Sequence, residues 1–209
     1  MRLANIVVAA ALGASLSGCG YNRIQQLDEQ VEQARGNVGV ELTARNQLIP
    51  NLVATVKGAS EFERGTFTDV ARARSGQAVA QSEAALRQSA QQLQQAVQRQ
   101  DVAAMSQADA AVTRQIGTFI NVAREAYPNL NATQNFRGLQ DQLAESENRI
   151  AVSRRDYNGA VREYNTYIRQ FPQAITARFS GAQRKEPYRE PAGSDAAPQV
   201  DFGGAPKAP

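Results

Sequence analysis

The sequence predicts an all-α fold, an antiparallel bundle of about four long helices with coiled-coil-like seams. Three observations lead to this class. Apolar residues recur at intervals of three and four along most of the chain, which is the spacing of one helix face. Alanine and glutamine, which are both good helix formers, are abundant. No segment of useful length shows the apolar and polar alternation of a half-buried strand.

The first 18 residues have the three parts of an export signal. Arg2 supplies a positive charge, an apolar stretch extends from Ile6 to Ala14, and small residues precede Cys19, the only cysteine. The apolar stretch is too short for a stable helix across a hydrocarbon core of about 30 Å. We therefore interpret residues 1–18 as a cleaved signal peptide. Ordinary cleavage would leave a lone thiol without a pairing partner.

The end of this segment, Leu16-Ser17-Gly18-Cys19, resembles the bacterial lipoprotein signal. The resemblance implies that the thiol receives a diacylglyceryl group and that the new amino group is acylated, for example with palmitate. Each buried CH₂ contributes about 0.8 kcal/mol, so two or three chains make a lasting membrane anchor. Gly20 follows, rather than the Asp of an inner-membrane retention signal, which favours the outer membrane of a Gram-negative cell. An unmodified cysteine after a plain leader is the alternative.

The first half of the mature chain predicts two helices. Residues 22–46 form the first, with one apolar face made by Ile24, Leu27, Val31, Ala34, Val38 and Leu42. Pro50 lacks an N–H and fits best in the first turn of a helix, so we expect a break near residues 48–49 and a second helix over 50–75. Its inward face would comprise Leu52, Val53, Val56, Phe67 and Val70.

Residues 77–126 predict a long third helical segment. Residues 77–100 are rich in Gln and Ala but keep a near-heptad rhythm, which favours a helix over disorder. The step of five from Val97 to Val102 marks a register shift or a short turn, with Asp101 as an N-cap. Tyr127-Pro128 then ends the helix, because the residue before a proline disfavours the helical conformation.

A last long helix is predicted from Thr133, as N-cap, to Phe171-Pro172. Its apolar seam contains Phe136, Leu139, Leu143, Glu147, Ile150, Arg154, Tyr157, Val161, Tyr164, Ile168 and Phe171. We expect the rings of Tyr127 and Phe171 to close an end of the bundle. Residues 184–209 are rich in Pro and Gly and are predicted to be a disordered tail, which leaves residues 19–183 for the bundle.

Six polar residues are candidates for a structural polar layer inside the bundle. They are Glu63, Arg74, Glu147, Arg154, Asn158 and Asn165. The first two share a helix face but lie about 16 Å apart along its axis, so each needs a partner on another helix. The other four lie on or beside the last seam, and we hypothesise that they fix helix register. In one alternative, the arginine stems lie on the core while their guanidinium groups reach water. In the other, the polar residues line a ligand cavity.

The residue types exclude most catalytic and metal sites. With no histidine and a single, lipidated cysteine, the chain cannot build a Ser-His-Asp triad, a cysteine nucleophile or ordinary zinc ligation. No cofactor and no metal site is predicted, and no glycine-rich phosphate loop occurs. The 23 basic and 20 acidic residues are interspersed rather than clustered, so no nucleic-acid partner is predicted.

Several short motifs together resemble the LemA family. They are LIPNLVATVKG at 48–58, EAYPNL at 125–130 and ESENRIAVSRRDYNGAVREYN at 145–165. The resemblance runs from Asn22 to Pro172 and implies a membrane-attached, mostly extracytoplasmic helical bundle with no established enzymatic activity. The chain departs from many relatives in having Ala34-Arg35-Gly36 where they have a tryptophan, and a lipoprotein-like anchor where they have a transmembrane helix.

We therefore expect a non-enzymatic, lipid-anchored bundle of the bacterial cell envelope, facing the periplasm or the exterior. Its function would be that of an adaptor or structural component, with an unidentified protein partner. The alternatives are a bundle that binds a small envelope ligand and an accessory subunit of an envelope enzyme. A coiled-coil homo-oligomer is also compatible with the heptads.

Overall fold

The computed structural model describes residues 2–62 and 69–189, with side chains described over 20–61 and 76–189. Its four long helices are α1 (Arg2–Phe62), α2 (Asp69–Gln98), α3 (Val102–Ala126) and α4 (Gln134–Tyr167). A 3₁₀ turn at Pro128–Ala132 joins α3 to α4, and a short helix, α5 (Gln173–Ser180), follows. No strand occurs in these two ranges, so the predicted all-α class is confirmed.

The helices pack as two antiparallel pairs, α1 with α4 and α2 with α3. The α2–α3 pair covers only the later part of α1: Arg35 Nη2 donates to Gln100 Oε1 in the α2–α3 turn, and Asn46 Nδ2 donates to Ala90 O. The earlier part of α1 packs on α4 and α5. The predicted apolar face of the first helix is buried, with Ala34 partly so. Among the described residues, no helix has a stretch long and apolar enough for a membrane span.

The predicted break near residues 48–49 is wrong, because α1 continues through Pro50. The ring of Pro50 is exposed, while Ile49 and Leu52 beside it are buried. The missing N–H therefore falls on the solvent side, and the buried neighbours keep the helix continuous. Of the predicted inward face, Leu52, Val53 and Val56 are buried. Phe67 and the side chain of Val70 lie outside the described part.

The connection between α1 and α2 differs from the prediction, whereas the connection between α2 and α3 lies where the helical rhythm is interrupted. Helix α1 ends at Phe62 and α2 begins at Asp69, so the predicted helix over 50–75 is also wrong. The irregular step between residues 97 and 102 is the α2–α3 turn. Asp101 is the N-cap of α3, as predicted, and its Oδ1 accepts a hydrogen bond from Ala104 N at 3.0 Å.

Helix α4 is shorter than predicted. Thr133 is its N-cap residue, as predicted, although the hydroxyl donates to Leu130 O and makes no cap hydrogen bond. The helix ends at Tyr167 instead of near Phe171. The chain turns at 168–171 to enter α5, which directs Phe171 outward, where it is 83% exposed. Phe171 therefore neither belongs to the seam nor closes the bundle. Tyr127, by contrast, is partly buried against the core.

After α5 the chain runs back along α4 in an extended conformation over residues 182–189, which we call the strap. Tyr188, at the far end of the strap, is only 5% exposed. The predicted boundary of a disordered tail at residue 184 is therefore too early, because residues 184–189 have ordered partners on α1, α3 and α4. The remaining tail, residues 190–209, lies outside the described part.

Candidate functional site

Asp109 on α3 lies at the centre of a buried polar network, although its neighbours along the seam are apolar. Its side chain is 1% exposed. Its Oδ1 accepts a hydrogen bond from Arg45 Nη2 on α1 at 2.5 Å. Its Oδ2 accepts from Tyr188 Oη in the strap at 2.6 Å and from Arg154 Nη2 on α4. One carboxylate therefore connects α3 to three other segments of the chain.

Arg45 extends the network to the rim of the bundle. Its Nη1 donates to Glu147 Oε2 at 2.7 Å and to Thr113 Oγ1 at 2.9 Å. Glu147 is 41% exposed, and its Oε1 lies 3.7 Å from Arg154 Nη2. The network thus contains two guanidinium and two carboxylate groups and is electrically balanced, which is the condition under which charges can be buried.

Tyr188 covers Arg154 from the strap. The Arg154 guanidinium carbon lies 5.2 Å from the Tyr188 ring centroid, a cation–π contact. Burial and the neighbouring Asp109 carboxylate raise the pKa of Tyr188 far above its ordinary value. Burial alone lowers the pKa of Arg154, but Asp109, Tyr188 and Glu147 outweigh it and the net shift is upward. Tyr188 is therefore a neutral donor and Arg154 a permanent cation.

Asn158 and Asn165, seven residues apart on α4, hold the backbone of the strap. Asn165 Nδ2 donates to Lys185 O at 2.8 Å, and Lys185 N donates back to Asn165 Oδ1 at 2.9 Å. Asn158 makes the same pair of bonds with Tyr188, at 3.0 and 2.7 Å. Each side-chain amide replaces the backbone partner that a neighbouring strand would supply, so an extended segment can lie against a helix.

The strap also contacts α1 and α3. Lys185 Nζ lies 2.8 Å from Asp28 Oδ1 and 3.1 Å from Glu32 Oε1, both on α1. Burial alone lowers the pKa of Lys185, but its two acidic partners raise it overall. On α3, Ser106 Oγ donates to Arg189 O. The strap therefore contacts three helices, α1, α3 and α4.

The six residues predicted as a polar layer fall into three groups. Glu147 and Arg154 belong to the network around Asp109, whereas Asn158 and Asn165 hold the strap. Glu63 lies outside the described part of the chain, and so does the side chain of Arg74. That the residues of this predicted layer fix the register of the helices stays a hypothesis.

Three members of the site, Arg45, Asp109 and Tyr188, were not predicted from the sequence. A signal for the first two exists: Arg45 lies at the seam position between Leu42 and Ile49, and Asp109 lies between Met105 and Val112. A charged residue at a position where the helix face is otherwise apolar indicates a buried partner. Tyr188 has no such signal, because the strap has no helical period.

The network has the properties of a structural connection between segments. The Asp109 carboxylate accepts three hydrogen bonds, two of them from arginines, so both of its oxygens already have partners within the fold. Among residues 2–62 and 69–189, no group of three or more His, Cys, Asp or Glu is placed to hold a metal ion.

A cleft lies at the end of the bundle remote from Gly20. It has a volume of 640 Å³ and is formed between the later part of α1 and the connection from α3 to α4. None of the lining residues is charged, and Leu130 is the one large apolar side chain among them. The lining residues are Ala54, Thr55, Gly58, Ala59, Asn129, Leu130, Ala132, Thr133 and Asn135. This cleft is the second feature of functional interest, because it is open to solvent.

Known proteins with similar sequences include three magnetosome proteins. "Magnetosome protein MamQ 2" and "Magnetosome protein MamQ 1" of Paramagnetospirillum magneticum are each 28% identical over 181 residues. "Magnetosome protein MamQ" of Magnetospirillum gryphiswaldense is 24% identical over 181 residues. Each match covers 83% of this chain and 66% of the relative, so the chain spans slightly less than two thirds of the length of these relatives.

The sequence profile of the LemA family matches residues 34–202. This range contains Arg45, Asp109 and Arg154 of the buried network and also the strap. The match covers well over half of the 209 residues and agrees with the resemblance that the short motifs carry. The chain belongs to the LemA family.

Proposed function

We propose that this chain is a lipid-anchored, non-enzymatic adaptor of the bacterial cell envelope, a rigid arm that holds a protein partner at a fixed distance from the membrane. The observation that carries the proposal is the network around Asp109. It uses its charged groups to join α1, α3, α4 and the strap, and each of the four groups is paired with another of them. The LemA family and the MamQ proteins do not have enzyme names, which supports the same reading.

The anchor in this proposal is the lipid on Cys19. Gly20, the next residue, packs against α5, so the lipid would lie directly at one end of the bundle. From Gly20 to Phe62, α1 has a length of about 60 Å at 1.5 Å per residue. The 640 Å³ cleft lies near the far end of this helix, on residues 54–59. In this arrangement, the cleft is the surface to which the adaptor binds its partner.

Metabolic labelling tests the anchor. Cells that express the full chain are fed an alkyne-modified fatty acid, and the purified protein is examined for label. We expect label on the native chain and on Ser17→Ala, which keeps a small residue before the cysteine, but none on Cys19→Ala. Label that persists on Cys19→Ala, or a native chain without label, would exclude this anchor. Membrane fractionation of Gly20→Asp, expected to shift toward the inner membrane, tests the outer-membrane assignment.

Photo-crosslinking in intact cells tests the adaptor role. A photoreactive amino acid is placed at Thr55, in the cleft, and at exposed positions of α2 and α3, with Asn148 on the outer face of α4 as the matched control site. We expect one defined partner from Thr55, lost in Cys19→Ala and absent from Asn148. Self-crosslinks alone would favour a homo-oligomer instead, and a cleft without any product would refute a stable protein adaptor.

The size of the cleft favours a second candidate, the binding of a small envelope ligand. Ligand pockets commonly have volumes of about 300–1,000 Å³, and this one has 640 Å³ with hydroxyl and amide groups in its lining. A ligand that binds only the folded state must raise its thermal stability. A metabolite that raises the Tm of the native chain but not of Gly58→Phe, which fills the cleft, would support this candidate over the adaptor.

A further inference from the structure

Three large apolar side chains are exposed at the end of the bundle that contains Gly20. Phe171 is 83% exposed, Ile175 51% and Phe179 90%. Ile175 and Phe179 are four residues apart and therefore share one side of α5, and Phe171 precedes them by the same interval. Ala177 faces the opposite direction and is buried. Helix α5 thus has a buried side toward the bundle and an apolar side without cover from the described residues.

Helix α5 lies where the chain approaches the membrane. A Cβ placed on Gly20 would lie 3.5 Å from Thr176 Oγ1 and 4.0 Å from Gln173 Cγ, so the start of α5 packs directly on this part of α1. Cys19 is the next residue toward the N-terminus, and the backbone of α1 continues through it into the segment with the apolar stretch. Whatever attaches the N-terminal segment to a bilayer therefore brings α5 to the same bilayer.

The charged residues of the chain segment that contains α5 have one sign. Arg169, Arg178 and Arg184 are exposed, and no acidic residue occurs between Glu163 and Glu186. The rest of the sequence intersperses both signs. Aromatic and aliphatic residues bordered by arginines are typical of helices that lie in the headgroup region of anionic membranes.

We propose that α5 is a second membrane contact of this protein. Phe171, Ile175 and Phe179 enter the headgroup region of an anionic phospholipid bilayer, and the neighbouring arginines pair with lipid phosphates. The inference deepens the proposed function and rests on its membrane attachment. The second contact would fix the orientation of the bundle. A lipid on Cys19 alone would let the bundle rotate about its attachment point. Because α5 lies beside that point, its effective concentration at the membrane is high, and its contact fixes the tilt of α1.

Tryptophan fluorescence tests the contact, because the chain contains no tryptophan. Phe179→Trp places a single emitter on the apolar side of α5, and Val152→Trp places one at a 47% exposed site along α4 as the matched control. The full chain is reconstituted in phosphatidylethanolamine and phosphatidylglycerol vesicles with brominated acyl chains. We expect blue-shifted emission and about twofold quenching for Phe179→Trp, and neither for Val152→Trp.

The arginines have a separate test in the Phe179→Trp background. Each arginine near an anionic surface strengthens partitioning by about fivefold. Replacement of Arg169, Arg178 and Arg184 by Gln should therefore lower the quenching on anionic vesicles to the level seen on uncharged phosphatidylcholine vesicles. Equal quenching with and without the three arginines would refute their pairing with phosphate.

Flotation of the vesicles separates this inference from the anchor. A chain that floats while Phe179→Trp keeps solvent-like, unquenched emission overturns the inference and leaves the anchor intact. A blue shift without quenching shows that a protein or a second copy covers α5, which also overturns it. If Cys19→Ala floats as well as the native chain and the quenching persists, attachment does not depend on Cys19 and the contact of α5 stands.

Discussion

Arg45 on α1 and Asp109 on α3 form an ion pair inside the bundle, with Nη2 and Oδ1 2.5 Å apart and side chains that are 2% and 1% exposed. The two residues are 64 positions apart in the sequence. Because Asp109 also accepts bonds from Arg154 and Tyr188, the pair is the point at which four segments of the chain are joined. Its removal should affect the whole bundle rather than one helix.

Asp109→Ala should lower the free energy of unfolding by about 3–5 kcal/mol, because it leaves buried arginine charge without its partner. Urea denaturation followed by circular dichroism measures the change. Asp141→Ala, at an exposed position of α4, is the control and should change stability by less than about 0.5 kcal/mol. Equal stabilities of the two variants would show that Asp109 does not support the bundle.

Tyr188 should make stability depend on pH in the alkaline range. Its pKa is raised in the folded state from an ordinary value of 10.0. The unfolded chain therefore loses this proton first, so the contribution of Tyr188 is complete below pH 10 and declines as the pH rises above it. Above that point the native chain should lose up to about 1.4 kcal/mol per pH unit more than Tyr188→Phe.

Denaturation curves at a series of pH values test this difference. Tyr157, Tyr164 and Lys185 also have raised pKa values, but they are present in both proteins, so the comparison isolates Tyr188. Near pH 7, Tyr188→Phe should be less stable by about 1.5–3 kcal/mol, because the lost hydrogen bond ends on a charged carboxylate. Parallel profiles of the two proteins would argue against the raised pKa.

Asn158→Ala should release the strap without unfolding the bundle. It removes the two hydrogen bonds between its side chain and the backbone of Tyr188. With about 1–2 kcal/mol lost, trypsin cleavage after Lys185 should become about tenfold faster, because cleavage follows the population of the open form. Asn148→Ala, the same change at an exposed site of α4, should leave the rate unchanged. Equal cleavage rates would mean that the amide does not hold the strap.

Pro50→Ala should stabilise the protein. Proline within α1 removes one hydrogen bond to the carbonyl of Asn46, and alanine restores it at an exposed position. We expect a gain of about 1–3 kcal/mol by urea denaturation, against less than about 1 kcal/mol for the neighbouring Asn51→Ala. A loss of stability would instead show that the core depends on a local distortion at the proline.

The sequence alone determined the features that depend on neighbours along the chain. The buried face of α1 from Ile24 to Leu42, the N-cap at Asp101 and the end of α3 before Pro128 follow from periodicity and backbone chemistry over a few residues. The same patterns predicted a chain that is helical along most of its length, although they placed a break wrongly near residues 48–49 and left open whether residues 97–102 form a turn. Cys19, Glu63 and Arg74 stay predictions, because nothing in the described structure tests their roles.

Only the tertiary structure decided which partners these elements have. Pro50 lies within a helix because its ring faces solvent and its neighbours are buried. Neither fact can be predicted from the local sequence. Asp109 and Tyr188 are 79 positions apart, and they meet because α5 returns the chain along α4. A helical period shows which face is buried but not what covers it, and an extended strap has no helical period. The position of the strap depends on the side-chain amides of Asn158 and Asn165, which lie on α4.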